Sequence, residues 1–267
     1  MSYARSNGID FYYEQHGDAT GMPLVLLHGG IGSGEMFEPV LPALAASRRV
    51  ITVDLQGHGR TGDVDRPFDV GAMADDVAGV IEQLGVDGKA DVLGYSLGGD
   101  VALRLALQHP ERVNDLILVS IAIKRSGNHA DAIVAMDGMS AEMAEMIKPS
   151  PAGQFYAQHA PNPDNWGTLI AKTSDAIHHD YDWTAEVAGL QARTLLVFAD
   201  ADSIRPDHIV EFYGLLGGGL RDAGWDGSAQ PKNQLAILPG QSHYDILTSP
   251  LLAPVVSGFL QSSSSPQ

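Results

Sequence analysis

The apolar positions of this chain follow two alternating rhythms. Six short runs are apolar almost without a break, and each ends in small, polar or ionisable residues: PLVLLHGG, VITVDLQGHG, ADVLGYS, RVNDLILVS, RTLLVFADAD and QLAILPGQSH. Such runs suit strands covered on both faces, which stop where the chain leaves the sheet. Between them, apolar residues recur at helical spacing, predicting helices over 35–46, 71–84, from just after Ser96 to 108, and 251–260. His109-Pro110 marks one helix end. The first segment, IDFYYEQHG, instead alternates aromatic and polar residues, as an antiparallel strand near a sheet edge does. Together these patterns predict an α/β fold: a doubly wound, mostly parallel sheet with helices on both faces and right-handed crossovers.

After Ile123 the rhythm breaks. Residues 124–190 hold Met136, Met139, Met143 and Met146, scattered prolines, Trp166 and Trp183, with no apolar strand run. This stretch reads as an inserted, mostly helical cap, leaving 1–123 and 191–261 as the core domain. Residues 214–232, GLLGGGLRDAGWDGSAQPK, are too rich in glycine for a helix and long for a connection. They read as a surface flap or as a wedge that helps close a pocket. The tail over 262–267 belongs to the low-complexity QSSSSPQ and is expected to be disordered.

Ligands of an open α/β sheet sit beyond the carboxyl ends of its strands, and chemistry-bearing residues collect at those ends here. LGYSLGG places Ser96 inside G-x-S-x-G, between a strand and a helix. Gly94 and Gly98 would keep side chains out of a tight crossing and leave Ser96 at its apex on strained backbone. A plain strand-to-helix turn is the blander reading of the same five residues. A serine hydroxyl needs a base, and His243, in the loop after the last strand run, is the candidate. His28 reads as a brace for its own glycine turn, and His58 as turn architecture. His178 and His179 are adjacent and share no helix face, so no metal site is expected there. FADADS offers two carboxylates. Asp202, further past the strand, is the candidate to orient the base, while Asp200 suits backbone amides in the same turn. The backbone N–H groups of Gly30 and Leu97 are the candidate donors for an oxyanion.

A length of 267 residues permits one large domain, or a main domain with an insertion. Sixteen basic against thirty-three acidic residues give a net charge of −17, which repels phosphate backbones and anionic membrane surfaces. Neither nucleic acid nor membrane is therefore expected as a partner. The absence of cysteine excludes disulfides, thiolate metal ligands and a cysteine nucleophile. The segment MSYARSNGIDFYYEQHG lacks the apolar core of a secretory signal, and no run approaches the roughly 18 apolar residues of a membrane span. A cytoplasmic location is the expectation.

LLHGG, VDLQGHGRT, LGYSLGG, PERV, ADAD and GQSH occur in this order across residues 8–261. With them the chain resembles the α/β-hydrolase-fold serine hydrolases, in particular their capped, esterase-like members. The resemblance implies an eight-stranded sheet with a cap inserted after the sixth strand. It also implies Ser96 as nucleophile, His243 as general base and acid, Asp202 as the third member, and no cofactor or metal. Three features depart from the pattern. HGG is followed by Ile31, unlike the longer HGGG turn of some lipases and esterases. A serine at position 96 separates the chain from the dehalogenase and epoxide hydrolase branches, which carry aspartate there. The 214–232 stretch is longer than in the simplest members.

The leading expectation is hydrolysis of a small to medium, apolar carboxylic ester or lactone through an acyl-Ser96 intermediate. Tyr95, Met36, Phe37, Met139 and Met143 are the expected pocket residues, although methionines at helical spacing suit a plain core equally. Carbon–carbon bond hydrolysis and perhydrolysis run on the same triad. From a different class, a non-enzymatic small-molecule receptor that retains the triad is the alternative. An apolar cap face leaves both a homodimer and closure over substrate open.

Overall fold

The computed structural model describes residues 2–18 and 20–262. One sheet holds eight strands: β1 (Ser2–Ser6), β2 (Ile9–His16), β3 (Leu24–Leu27), β4 (Val50–Val53), β5 (Ala90–Tyr95), β6 (Val113–Val119), β7 (Arg193–Ala201) and β8 (Gln234–Ser242). Their spatial order is β1-β2-β4-β3-β5-β6-β7-β8. All neighbours from β4 to β8 run parallel, while β2 lies antiparallel to both β1 and β4. The apolar rhythm did not predict β1, because SYARS has almost no apolar signal. Its sign was the Asn7-Gly8 dipeptide: both residues take left-handed φ, 46° and 87°, and Ser6 pairs with Ile9 across them.

The helices are α1 (Leu41–Ala45), α2 (Val70–Leu84), α3 (Leu97–Gln108), α4 (Ala130–Asp137), α5 (Ala144–Ile147), α6 (Pro151–His159), α7 (Trp166–His178), α8 (Thr184–Val187), α9 (Pro206–Leu215) and α10 (Leu252–Ser262). Among the described residues none is long and apolar enough to cross a membrane. The helix expected over 35–46 divides into a 3-10 turn, Gly34–Phe37, and the short α1. Pro39 lies between the two pieces and supplies no backbone donor. Alternate residues of each central strand feed opposite cores. Leu24, Leu26, Leu93 and Ile117 pack with Leu44 of α1 and Phe259 of α10. Val25, Leu27, Val92 and Leu116 pack with Val77 of α2, Leu103 of α3 and Phe212 of α9.

Helices α4 to α8 all fall between β6 and β7. The chain passages leading into and out of this insertion are tied together: Trp183 N–H donates to the Ile123 carbonyl at 2.8 Å and Arg125 N–H to the Tyr181 carbonyl at 3.0 Å. After α9 the glycine-rich stretch runs in turns, with Leu220 and Trp225 exposed. Of the tail expected to be disordered, Ser262 ends α10 and 263–267 lie outside the described residues.

Backbone packs closely on backbone where β5 turns into α3. A Cβ on Gly98 would strike the Leu27 carbonyl and come within 2.5 Å of the His28 carbonyl oxygen. One on Gly94 would strike the Gly98 carbonyl, and one on Gly99 the Ile121 side chain. Backbone carbonyls have little freedom to move aside, so an added methyl here means strain. Gly98→Ala is expected to destabilise the fold by about 3 kcal/mol or more, read from the midpoint of chemical unfolding. Gly62→Ala, whose Cβ meets no atom within 4 Å, should stay near wild type.

Candidate active site

Ser96 sits between β5 and α3 with φ 51° and ψ −123°, a backbone conformation that costs a non-glycine residue on the order of 1–3 kcal/mol. The glycine contacts around it enforce that conformation. Its Oγ lies 3.2 Å from Nε2 of His243. The imidazole comes from the turn after β8, which Asp245 holds by accepting from the Ser242 N–H at 2.6 Å. The Tyr95 hydroxyl donates to the His243 carbonyl at 2.7 Å, and the two rings lie 5.5 Å apart.

On the far side of the imidazole, Nδ1 lies 3.2 Å from Oδ1 of Asp202 and 3.1 Å from Oγ of Ser203. An Nδ1–H directed at this carboxylate leaves Nε2 as an acceptor facing Ser96, the tautomer a general base requires. The Asp202 carboxylate is buried, and its other oxygen accepts from the Ser120 hydroxyl at 2.6 Å and from the Ala199 N–H at 3.0 Å. Burial acts to raise its pKa. The hydrogen bonds from His243, Ser120 and Ala199 outweigh burial and hold the carboxyl below its ordinary value. Asp200 is remote from this chemistry, accepting from the Gln241 N–H at 3.2 Å where the β7–β8 register shifts.

Gly30 and Leu97 face each other across the same opening: a Cβ on Gly30 would lie 4.0 Å from Cδ2 of Leu97. Leu97 is the first residue of α3, so its N–H has no acceptor within the helix. His28 braces the turn that carries Gly30. Its Nε2 accepts from the Leu55 N–H at 3.0 Å, and Nδ1 pairs with the Gly29 carbonyl at 2.8 Å. Burial lowers its pKa to about 4. His58, with its ring 5.2 Å away, is lowered to about 3 by burial and by His28. Both imidazoles are therefore neutral fixtures at neutral pH.

Ser96, Leu97, Gly30 and His243 open onto a cavity of about 380 Å³, roofed by α4, α7 and the segment before α8. Its walls mix apolar side chains (Ile121, Met136, Ile177, Trp183) with Asp100, Arg125, Asn128 and Tyr181. The expected pocket residues lie elsewhere. Phe37 is fully buried in the core shared with α1 and α10, and Tyr95 belongs to that core, because alternation along the strand points it away from α3. Met36 lines a separate hollow beside Phe155 and Tyr156. Met139 packs against the core beneath the insertion, and neither it nor Met143 lines the cavity. No residue of 214–232 does either. Ser120, Ser203 and Asp100 escaped the sequence reading. Ser120 carried a usable sign, because it ends the apolar run LILVS as Ser96 ends its own.

Residues 22–174 match the family described as the alpha/beta hydrolase fold, and the chain belongs to that family. Among its relatives is the pimeloyl-(acyl-carrier protein) methyl ester esterase of Neisseria meningitidis serogroup B. It is 34% identical over 208 residues, which are 70% of this chain and 77% of that protein. A provisionally named carbamate hydrolase, RutD of Azorhizobium caulinodans, is 42% identical over 121 residues, 45% of this chain and 44% of that relative's length. The enol-lactonase from Burkholderia xenovorans LB400 superposes with a TM-score of 0.72 over 97% of this chain and 99% of that one. At 20% identity that likeness shows the fold alone.

The Ser120 hydroxyl yields a test of how Asp202 is held. Because the folded pKa of Asp202 lies below its ordinary value, the stability it contributes is present above the ordinary carboxylate range. It is lost as pH falls through the lowered value. Ser120→Ala removes one charge-assisted bond and should cost about 1.5–3 kcal/mol at neutral pH. The difference from wild type should shrink in acid, as followed by urea unfolding at several pH values.

Proposed function

We propose that this chain is a serine hydrolase that cleaves a small to medium carboxylic ester or lactone. The observation that carries the reading is the continuous chain of contacts from Ser96 Oγ through His243 to a buried Asp202, each link 3.2 Å long. Ester-cleaving names among the relatives support the same bond class.

In this reading His243 Nε2 takes the Ser96 proton as Oγ attacks the acyl carbon, and Asp202 stabilises the resulting imidazolium. The backbone N–H groups of Gly30 and Leu97 receive the oxyanion, a contribution of about 3–4 kcal/mol per donor in measured cases. Collapse of the tetrahedral species breaks the bond to the alkoxy oxygen, which leaves with the proton from Nε2. Water then repeats the sequence on the acyl-enzyme: His243 accepts its proton, hydroxide adds to the acyl carbon, and Ser96 departs reprotonated. A lactone follows the same steps, with the leaving hydroxyl still attached to the acyl chain. The mixed walls of the cavity favour a substrate with both apolar and polar parts over a purely hydrocarbon one.

Ser96→Ala should reduce turnover of short aryl esters by about 10⁴-fold or more while the protein stays folded. Asp202→Asn should lower kcat by about 10⁴, and Asp200→Asn should leave it near wild type. Esterase activity that survives Ser96→Ala, or that follows Asp200 in place of Asp202, would overturn the assignment. Tight binding of a small molecule with no turnover on any ester would instead favour a receptor.

A further inference from the structure

One carboxyl in the cavity has no task in the mechanism above. Asp100 lies one helical turn beyond Ser96, in the first turn of α3, where residues four apart share a face. It lines the cavity with Ser96, and while its N–H donates to the Ser96 carbonyl at 3.0 Å, its carboxyl has no hydrogen-bond or ion-pair partner among the described residues. The other carboxylates on the cavity wall are engaged. Asp69 caps α2 by accepting from the Ala72 N–H at 2.8 Å, and Asp180 accepts from the Tyr181 N–H at 3.1 Å. Arg125 pairs with Asp137 through one Nη at 2.5 Å, while its Nε has no partner among the described residues.

A carboxyl left without a partner while partly withdrawn from water is costly. The cost is offset when a ligand supplies the missing partner. A second group points the same way: Thr173, only 6% exposed, lines the cavity beside Gly30, and its Oγ1 has no partner among the described residues. We propose that Asp100 is a specificity-determining residue, hydrogen-bonding an uncharged ketone or hydroxyl that the substrate carries beside its scissile ester. The inference rests on the hydrolase reading and narrows its substrate class. Desolvation pushes the Asp100 carboxyl well above the usual range, which favours the protonated form, with one donor and one acceptor, over the carboxylate. That pairing fits an uncharged polar group better than an ammonium.

Phenyl levulinate and phenyl valerate have nearly the same shape and differ by one ketone oxygen, so they form the test pair. The kcat/KM ratio of levulinate to valerate should fall roughly tenfold from wild type to Asp100→Leu. Asp100→Asn, which keeps a donor and an acceptor, should retain most of the preference. Removing the unpaired carboxyl should also raise the melting temperature of Asp100→Leu. Binding of butyl levulinate to Ser96→Ala, read as a thermal shift and compared with Ser96→Ala/Asp100→Leu, tests the contact without turnover. It therefore separates a failure here from a failure of the hydrolase reading. An unchanged ratio together with an unchanged thermal shift would overturn the proposal. So would a preference for the ω-amino analogue of valerate that disappears in Asp100→Asn, because the group would then act as an anion.

Discussion

Helix α3 begins one residue after Ser96, and it can lie that close to the ends of β3 and β5 only because Gly94, Gly98 and Gly99 have no side chains. The consequences spread outward from this contact. Ser96 is forced into left-handed backbone, which lifts its side chain out of the sheet and aims it at the loop after β8. Leu97 becomes the first residue of a helix, with an N–H that has no acceptor within the helix, beside the turn of Gly30. Asp100 arrives one turn later on the same face. Strain at a single residue is sustained because the contacts holding it are backbone on backbone, the least compliant kind in the molecule.

The same end of the sheet sorts its histidines by what surrounds them. His28 and His58 are buried with backbone partners and, among the described residues, no carboxylate in hydrogen-bond contact, so burial holds them neutral with pKa values near 4 and 3. His243 comes from a loop, stays partly open to the cavity, and has a buried carboxylate behind it. Of these three imidazoles, His243 is the one with a carboxylate placed to compensate a charge on the ring. Chain position alone does not make this distinction, since His28 also follows a strand run and also stands near Ser96.

The strand runs were legible because a parallel sheet covered on both faces demands unbroken apolar stretches, and LVLL, VITV and LILV supply them. The relation of Ser96, Asp202 and His243 was legible for a related reason: each follows such a run, and the parallel strands of one sheet carry their carboxyl ends to the same edge. The pocket was not legible. Which of Met136, Met139 and Met143 faces the cavity depends on how short helices in the insertion rotate against the core, and periodicity over so few turns leaves that rotation undetermined. Tyr95 misled for a simpler reason. It adjoins Ser96 in sequence, but adjacent residues of a strand point to opposite faces, and its ring packs toward α1 and α10.

The insertion and the loop bearing Asp202 form one structural unit. His129 N–H donates to the Ser203 carbonyl at 2.8 Å and Arg205 N–H to the Gly127 carbonyl at 2.9 Å, so the residues that follow Asp202 are tied to the start of the insertion. The far oxygen of Asp202 is meanwhile held from the core by Ser120 and Ala199. A shift of the roof would therefore be resisted by bonds that also position the carboxylate behind His243. The roof of the cavity and the contacts from Asp202 through His243 to Ser96 thus share a support. In the proposed hydrolase this coupling would give a physical route by which a group recognised in the cavity, away from the reacting carbon, alters the rate and not only the affinity.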